Sequence, residues 1–142
     1  MTVEAIHLGA PRVPELWPVD SVRAVAGQGL EGDRHFHEGG AAPGQALTLV
    51  EAEVVEDVGL PAGETRRQIT VRGVRLNELV GKHFRVGEVE CFGVELCEPC
   101  SHLEAMTRPG IIKELVHRAG INADIVTGGM IRVGDSVAEL GV

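Results

Sequence analysis

The chain has 142 residues, which is enough for one domain with its own hydrophobic core and no disulfide support. Its 13 Lys and Arg against 21 Asp and Glu give a net charge of −8, which argues against general nucleic-acid binding. The apolar fraction is 44%, but no segment reaches the roughly 18 uninterrupted apolar residues of a membrane helix. We expect a single domain over residues 1–142 that binds neither nucleic acid nor membrane.

The start of the chain and the cysteines indicate a cellular compartment. Residues 1–6 show neither the basic region nor the apolar region of a signal peptide, so we expect a cytoplasmic protein. In that reducing compartment Cys91, Cys97 and Cys100 are expected to be thiols or ligands rather than a disulfide framework.

Alternating apolar residues predict short strands in the first half of the chain. Strands are expected at residues 3–8, 20–26 and 45–50, and the third runs into an acidic helix over 52–58. Prolines at positions 11, 14 and 18 predict a loop between the first two strands. Residues 27–40 form a long glycine-rich loop.

The second half continues the pattern. We expect a strand around residues 69–71, an amphipathic turn at 76–80, a helix from Pro109 to Gly120, and final strands at 123–126 and 136–140. Residues 84–89 and 131–137 each place Arg-Val before a Gly-acid turn, which predicts two hairpins.

These elements predict a mainly β fold of seven or eight short strands with two or three short helices. Strand spacing and Gly-centred turns favour a closed or partly closed β-barrel. A regular βαβα alternation is absent from the sequence, which argues against a doubly wound sheet.

The stretch at residues 95–104 is the strongest candidate for chemistry. Pro99 ends a strand because it lacks an N–H, and Ser101 followed three residues later by a glutamate predicts a helix that begins at His102. Cys100 then stands just ahead of a helix N-terminus, where unpaired N–H groups favour the thiolate. The alternative from the pattern alone is a structural thiol.

Two neighbours of Cys100 have candidate roles of their own. Cys97 is a candidate resolving thiol for a persulfide or disulfide, with burial in the strand as an equal alternative. His102 is a candidate modulator of the Cys100 pKa. Cys91 lies in mid-strand, where core packing is the better explanation.

A candidate anion site combines the glycine-rich loop with paired arginines. Loop amides can cradle a phosphate, and guanidinium groups match phosphate bidentately. Alternate side chains of a strand share a face, so Arg66 and Arg67 cannot both point inward, and Arg67 is preferred. The alternative is a plain turn with solvated arginines. The candidate binding residues are Gly32, Asp33, Arg34, His35, Arg66 and Arg67.

A different set of residues suggests a metal-binding site. His35 and His37 together with Cys97 and Cys100 supply two nitrogen and two sulfur ligands, which is an acceptable zinc set. Their order and long separation match no zinc-binding spacing.

Four stretches in order resemble the MOSC domain, which occurs at the C-terminus of molybdenum-cofactor sulfurases and in small stand-alone proteins. They lie at residues 29–35, 65–81, 98–102 and 129–135. One departure is Gln68, where the family pattern has Asn after the paired arginines.

The resemblance implies a β-barrel, a bound molybdenum cofactor (molybdopterin) and a sulfur-carrying cysteine, which matches Cys100 here. It implies a sulfur carrier or sulfurtransferase that accepts sulfur from a separate cysteine desulfurase and passes it to a molybdoenzyme. No PLP is expected on this chain itself. The alternatives are a non-catalytic cofactor-binding or chaperone module, with Cys100 as a molybdenum ligand, and a Cys/His thiol-redox or zinc protein. The oligomeric state is not predicted.

Overall fold

A computed structural model of the protein describes residues 1–11, 16–59, 67–97 and 117–141. This part of the chain consists mainly of strands, with one α-helix, α1 (Ala52–Val58), and one short 3-10 helix (Leu76–Leu79). The strands are β1 (Thr2–Gly9), β2 (Leu16–Val19), β3 (Ser21–Val25), β4 (Gly29–Leu30), β5 (Leu47–Glu51), β6 (Ile69–Arg72), β7 (His83–Val86), β8 (Val89–Leu96), β9 (Ile121–Thr127), β10 (Gly129–Arg132) and β11 (Val137–Gly141).

The strands form two sheets. The larger is eight-stranded with the order β11-β7-β8-β9-β5-β6-β1-β2, and the smaller has the order β10-β3-β4. Within the larger sheet β5 and β6 are parallel and the other paired strands are antiparallel. The mainly β prediction is therefore confirmed, with more strands than the sequence suggested.

The predicted closed barrel is not confirmed, because the eight-stranded sheet has two ends. Its ends approach each other at one antiparallel bridge between Thr2 and Ser136, where the Val3 amide also donates to the Asp135 carbonyl across 2.8 Å. Farther along β1 the same edge is occupied by β2, which pairs with residues 6–9. That edge of β1 is therefore divided between two partners, and β11 adds no continuous ladder to it.

Only the first of the two predicted hairpins exists. Strands β7 and β8 pair with Val86 opposite Val89, as predicted. The second prediction was wrong, because β10 pairs with β3 and β11 pairs with β7. The turn between β10 and β11 carries the chain from one sheet to the other, and there the Arg132 amide donates to Asp135 Oδ2.

Two short strands were missed by the sequence analysis. Strand β2 was predicted as a proline loop, but Pro18 lies in it at the end of the sheet, where a missing N–H is tolerated. Strand β4 has two residues within the glycine-rich loop and pairs with β3. The predicted helix beginning at His102 lies outside the described residues, as does the predicted helix from Pro109 up to residue 116; residues 117–120, where that helix was expected to end, are not helical.

Alternation places one apolar face of the strands in a continuous core. Ile6, Leu49, Ile69, Phe84 and Ile121 are fully buried there. The helix α1 covers a smaller apolar cluster on the opposite face of β5, and it ends as predicted at Gly59, whose φ is +74°. Of the helices within the described ranges, none has the length and apolar character needed to cross a bilayer.

Candidate functional site

The glycine-rich loop is fixed to the sheet by one buried carboxylate. Asp33 is only 7% exposed, and its Oδ1 accepts from the Gly9 amide across 2.9 Å. Its Oδ2 accepts from the His35 amide at 3.0 Å and from Gln68 Nε2 at 2.7 Å. Three donors on one buried carboxylate satisfy its hydrogen-bonding capacity and tie the loop to the sheet.

Gln68 connects the Asp33 carboxylate to strand β5. While its Nε2 donates to Asp33, its Oε1 accepts from the Thr48 amide across 2.9 Å. The Gln68 amide in turn donates to Thr48 Oγ1 at 3.0 Å. A glutamine therefore joins the loop to β5, and the departure from the family pattern at this position has a structural role.

Arg34 lies close to the end of β1. Its amide donates to the Gly9 carbonyl across 2.7 Å, and its Nε lies 3.4 Å from His35 Nε2. A Cβ on Gly9 would stand 3.2 Å from Arg34 Cζ, so the absence of a side chain at Gly9 permits this close approach. Arg34 is half-buried and His35 is exposed, which places a cation and an imidazole together on the loop.

Three amides of the predicted anion-binding loop are already engaged within the protein. The amide of Asp33 donates to the Leu30 carbonyl, that of Arg34 to Gly9, and that of His35 to the Asp33 side chain. An anion would have to displace these bonds to be cradled by the same N–H groups. The structure therefore gives Asp33 a positioning role, and the side chains of Arg34 and His35 stay candidate ligand-binding groups.

A polar cavity of about 350 Å³ lies beside this network. Side chains on its wall carry amide, hydroxyl and imidazole groups, so it offers both hydrogen-bond donors and acceptors. Its lining residues are His35, His37, Gly44, Gln45, Thr48, Gln68 and Asn122.

Arg67 faces different partners from those of its neighbour Gln68. Its Nε donates to the Ala119 carbonyl across 2.8 Å, and its Nη2 lies 3.4 Å from the Cys97 carbonyl oxygen. The Cys97 amide donates to the Gly120 carbonyl at 2.8 Å. The guanidinium of Arg67 and the half-buried Cys97 are thus brought together at the end of β8.

The comparison with protein families decides the identity of the fold. The model of the MOSC domain matches residues 36–138, which is more than half of the chain. The chain belongs to the MOSC domain family.

Solved structures agree with this assignment. The domain resembles the YuaD protein from Bacillus subtilis with a TM-score of 0.78 and 16% identity, over 96% of this chain and 94% of that one. It also resembles YiiM from Geobacillus stearothermophilus, with a TM-score of 0.76, 19% identity and coverage of 98% and 74%. YiiM from Escherichia coli follows with a TM-score of 0.68, 16% identity and coverage of 99% and 70%. No curated protein gives a significant sequence match.

Of the three cysteines of this MOSC domain, the structure describes Cys91 and Cys97. Cys91 is fully buried, and burial raises the pKa of its thiol strongly, so it is a core residue. Cys97 is half-buried. Cys100, His102 and Arg66 lie outside the described residues, so their predicted roles stay predictions.

A second cavity, of about 530 Å³, lies away from these residues, between α1, the 3-10 helix and His117. Its acidic groups are held by the backbone, since Glu51 accepts from the Leu76 amide and Glu53 from the Gly73 amide. Burial raises the pKa of Glu51. None of the predicted site residues lines this cavity, so the smaller cavity beside Gln68 is the better candidate.

The zinc alternative finds no support among the side chains that the structure describes. Within residues 1–11, 16–59, 67–97 and 117–141, no group of three or more His, Cys, Asp or Glu residues is placed to hold a metal ion. The proposed set also requires Cys100, which lies outside these ranges.

The sequence analysis missed four residues of the polar site. Thr48, Gln45, Asn122 and His37 line the cavity, and only His37 had been considered, as a zinc ligand. Thr48 and Asn122 lie opposite each other on β5 and β9. Their only sequence signal is a polar residue between two apolar neighbours, and its role depends on strand pairing that the sequence does not show.

Proposed function

We propose that this MOSC domain binds a molybdenum cofactor, or a related pterin ligand with an anionic group, and uses Cys100 to carry sulfane sulfur. The observation that carries the proposal is the Asp33–Gln68 bond, which fixes the loop that bears Arg34 beside a cavity of about 350 Å³. Arg67 and Cys97 lie near each other just outside the ends of β6 and β8.

The described residues fit the chemistry of such a ligand. A pterin presents ring N–H groups and carbonyl oxygens, which amide and hydroxyl side chains such as Gln45, Thr48 and Asn122 can pair. Arg34 supplies a guanidinium for the phosphate, with His35 beside it. Arg67 adds positive charge near Cys97. When bound, the cofactor would supply a molybdenum centre with ene-dithiolate sulfur ligands.

Sulfur loading on this chain needs no additional oxidant. The Cys100 thiolate attacks the outer sulfur of a persulfide on a cysteine desulfurase, a Cys100–sulfur bond forms, and the desulfurase thiolate leaves. The persulfide on Cys100 then passes its outer sulfur to an acceptor molybdoenzyme. If Cys97 attacks the inner sulfur instead, a Cys97–Cys100 disulfide forms and hydrosulfide leaves, which resolves an unused persulfide.

A second candidate is a cofactor-binding or chaperone module without turnover. The cavity and Arg34 favour it, because neither requires a reactive thiol. In that case Cys100 would ligate molybdenum, and no persulfide would accumulate.

Intact mass spectrometry separates these candidates. The protein is incubated with a cysteine desulfurase and cysteine, and a mass increase of one sulfur atom is expected in the wild type and in Cys91→Ser, the matched control at a buried thiol. Cys100→Ser should abolish the adduct, whereas Cys97→Ser should retain or increase it. An adduct that survives Cys100→Ser overturns the site, and no adduct in any variant favours the binding module.

A further inference from the structure

We propose that Arg67 is a positioning residue that fixes the two points where the chain enters and leaves the segment of residues 98–116. This inference rests on the proposed function for its consequence, since Cys100 belongs to that segment. Its geometry involves only described residues: the side chain of Arg67 reaches the carbonyl of Cys97 on the entering side and that of Ala119 on the leaving side.

The two sides are also tied directly to each other. The Cys97 amide donates to the Gly120 carbonyl across 2.8 Å, one step beyond the last pair of the β8–β9 ladder, Leu96 with Ile121. Arg67 therefore adds a third chain segment to this junction, because it lies two residues before β6 and donates to the carbonyls of Cys97, just after β8, and Ala119, just before β9.

Gly120 shows how tightly the leaving side is held. A Cβ on Gly120 would stand only 1.8 Å from the Leu49 carbonyl oxygen of β5, so the chain has no space to move toward that strand. Ala119 is 3% exposed. The carbonyl that Arg67 Nε binds thus belongs to a buried residue, where a lost hydrogen bond is costly.

The arrangement requires arginine rather than any cation. Nε and Nη2 lie on one edge of the planar guanidinium and donate in a fixed direction, so one side chain can reach two carbonyls at once. A lysine at position 67 would keep the positive charge but would lose the rigid two-point contact. This difference separates a positioning role from a purely electrostatic role in holding an anion.

Amide hydrogen exchange by NMR on the full protein without cofactor tests the placement. Loss of hydrogen bonds to a charged group predicts that the Cys97 amide exchanges about ten- to a hundredfold faster in Arg67→Lys and Arg67→Met. Amides in the middle of β8, such as that of Cys91, should change less than threefold. Arg72→Lys, at the other end of β6, is the matched control and should leave the Cys97 amide unchanged.

Two results would overturn the inference. One is a Cys97 amide whose exchange is unchanged in both variants, and the other is an equal increase throughout β8 and β9, which indicates general destabilisation only. A second readout tests the functional consequence: Arg67→Lys should lower the maximal rate of sulfur loading about tenfold, while the half-saturating desulfurase concentration stays constant. If the Cys97 amide exchanges faster in the Arg67 variants but the wild type takes up no sulfur, the positioning role stands and the proposed function is rejected.

Discussion

Gln68 donates from Nε2 to Oδ2 of Asp33 across 2.7 Å and thereby joins the glycine-rich loop to the strand that follows Arg67. The same side chain accepts from the Thr48 amide at 2.9 Å. One amide group thus satisfies a buried carboxylate on one side and a strand N–H on the other. An apolar side chain at position 68 could replace neither bond, because it would leave the Asp33 charge and the Thr48 N–H without this partner.

We therefore predict that Gln68→Leu destabilises the protein by about 3 kcal/mol, since unpaired buried groups cost about 1–3 kcal/mol and charged ones more. Gln68→Asn should cost about 1–2 kcal/mol, because the shorter side chain cannot reach Asp33 and the Thr48 amide together. The measurement is the free energy of unfolding in urea at pH 7.

Gln45→Leu provides the control for this prediction, since Gln45 lines the same cavity but is exposed. It should change the free energy of unfolding by less than about 0.5 kcal/mol. A Gln68→Asn protein as stable as the wild type would show that the two-sided contact is not what this position requires.

Two glycines in the left-handed backbone region allow the cost of backbone strain to be measured apart from the cost of steric overlap. Gly59 has φ +74° and open space around the Cβ position, whereas Gly120 has φ +98° and would place a Cβ 1.8 Å from the Leu49 carbonyl oxygen. Gly59→Ala should therefore cost about 1 kcal/mol, the penalty of the left-handed conformation alone.

Gly120→Ala should cost about 3 kcal/mol or more, because overpacking against backbone adds to the same penalty. Thermal unfolding of both variants beside the wild type measures the difference. Equal losses in the two variants would mean that β5 moves away from the new methyl group at little cost.

Local patterns in the sequence predicted local structure well. The acidic helix over residues 52–58, the turn at 76–80 and the β7–β8 hairpin follow from apolar spacing and glycine positions, and all three are present. The second predicted hairpin does not form, although its sequence pattern matches that of the first. Strand pairing is decided by distant residues, and here β10 pairs with β3 and β11 pairs with β7.

The site was predictable only in part for the same reason. The sequence identified Asp33, Arg34 and Arg67 by residue type, but it assigned all three to a ligand. In the structure Asp33 and Arg67 also bond to backbone and side-chain groups that lie far away in the sequence, at Gly9, Gln68, Cys97 and Ala119. Hydrogen-bond partners at such separations depend on the register of β1, β6 and β8, which no local motif specifies.

His7 is the residue from which we expect a pH dependence of stability. It is 5% exposed, and among the described residues its Nδ1 is a buried polar atom with no hydrogen-bond partner. Burial lowers the pKa of His7 from its ordinary value of 6.5. The unfolded chain therefore binds the proton more readily than the folded protein, so this contribution to stability is complete above pH 6.5 and is lost as pH falls through the folded pKa.

Substitution of His7 by Leu or by Gln should remove this loss, because neither side chain titrates. Urea unfolding at pH 7.5 and pH 5.5 is the measurement: the wild type should lose more stability between the two values than either variant. At pH 7.5 His7→Leu should be the more stable of the two variants, since it buries no unpaired polar atom. The same pH dependence in all three proteins would show that His7 is not the titrating group.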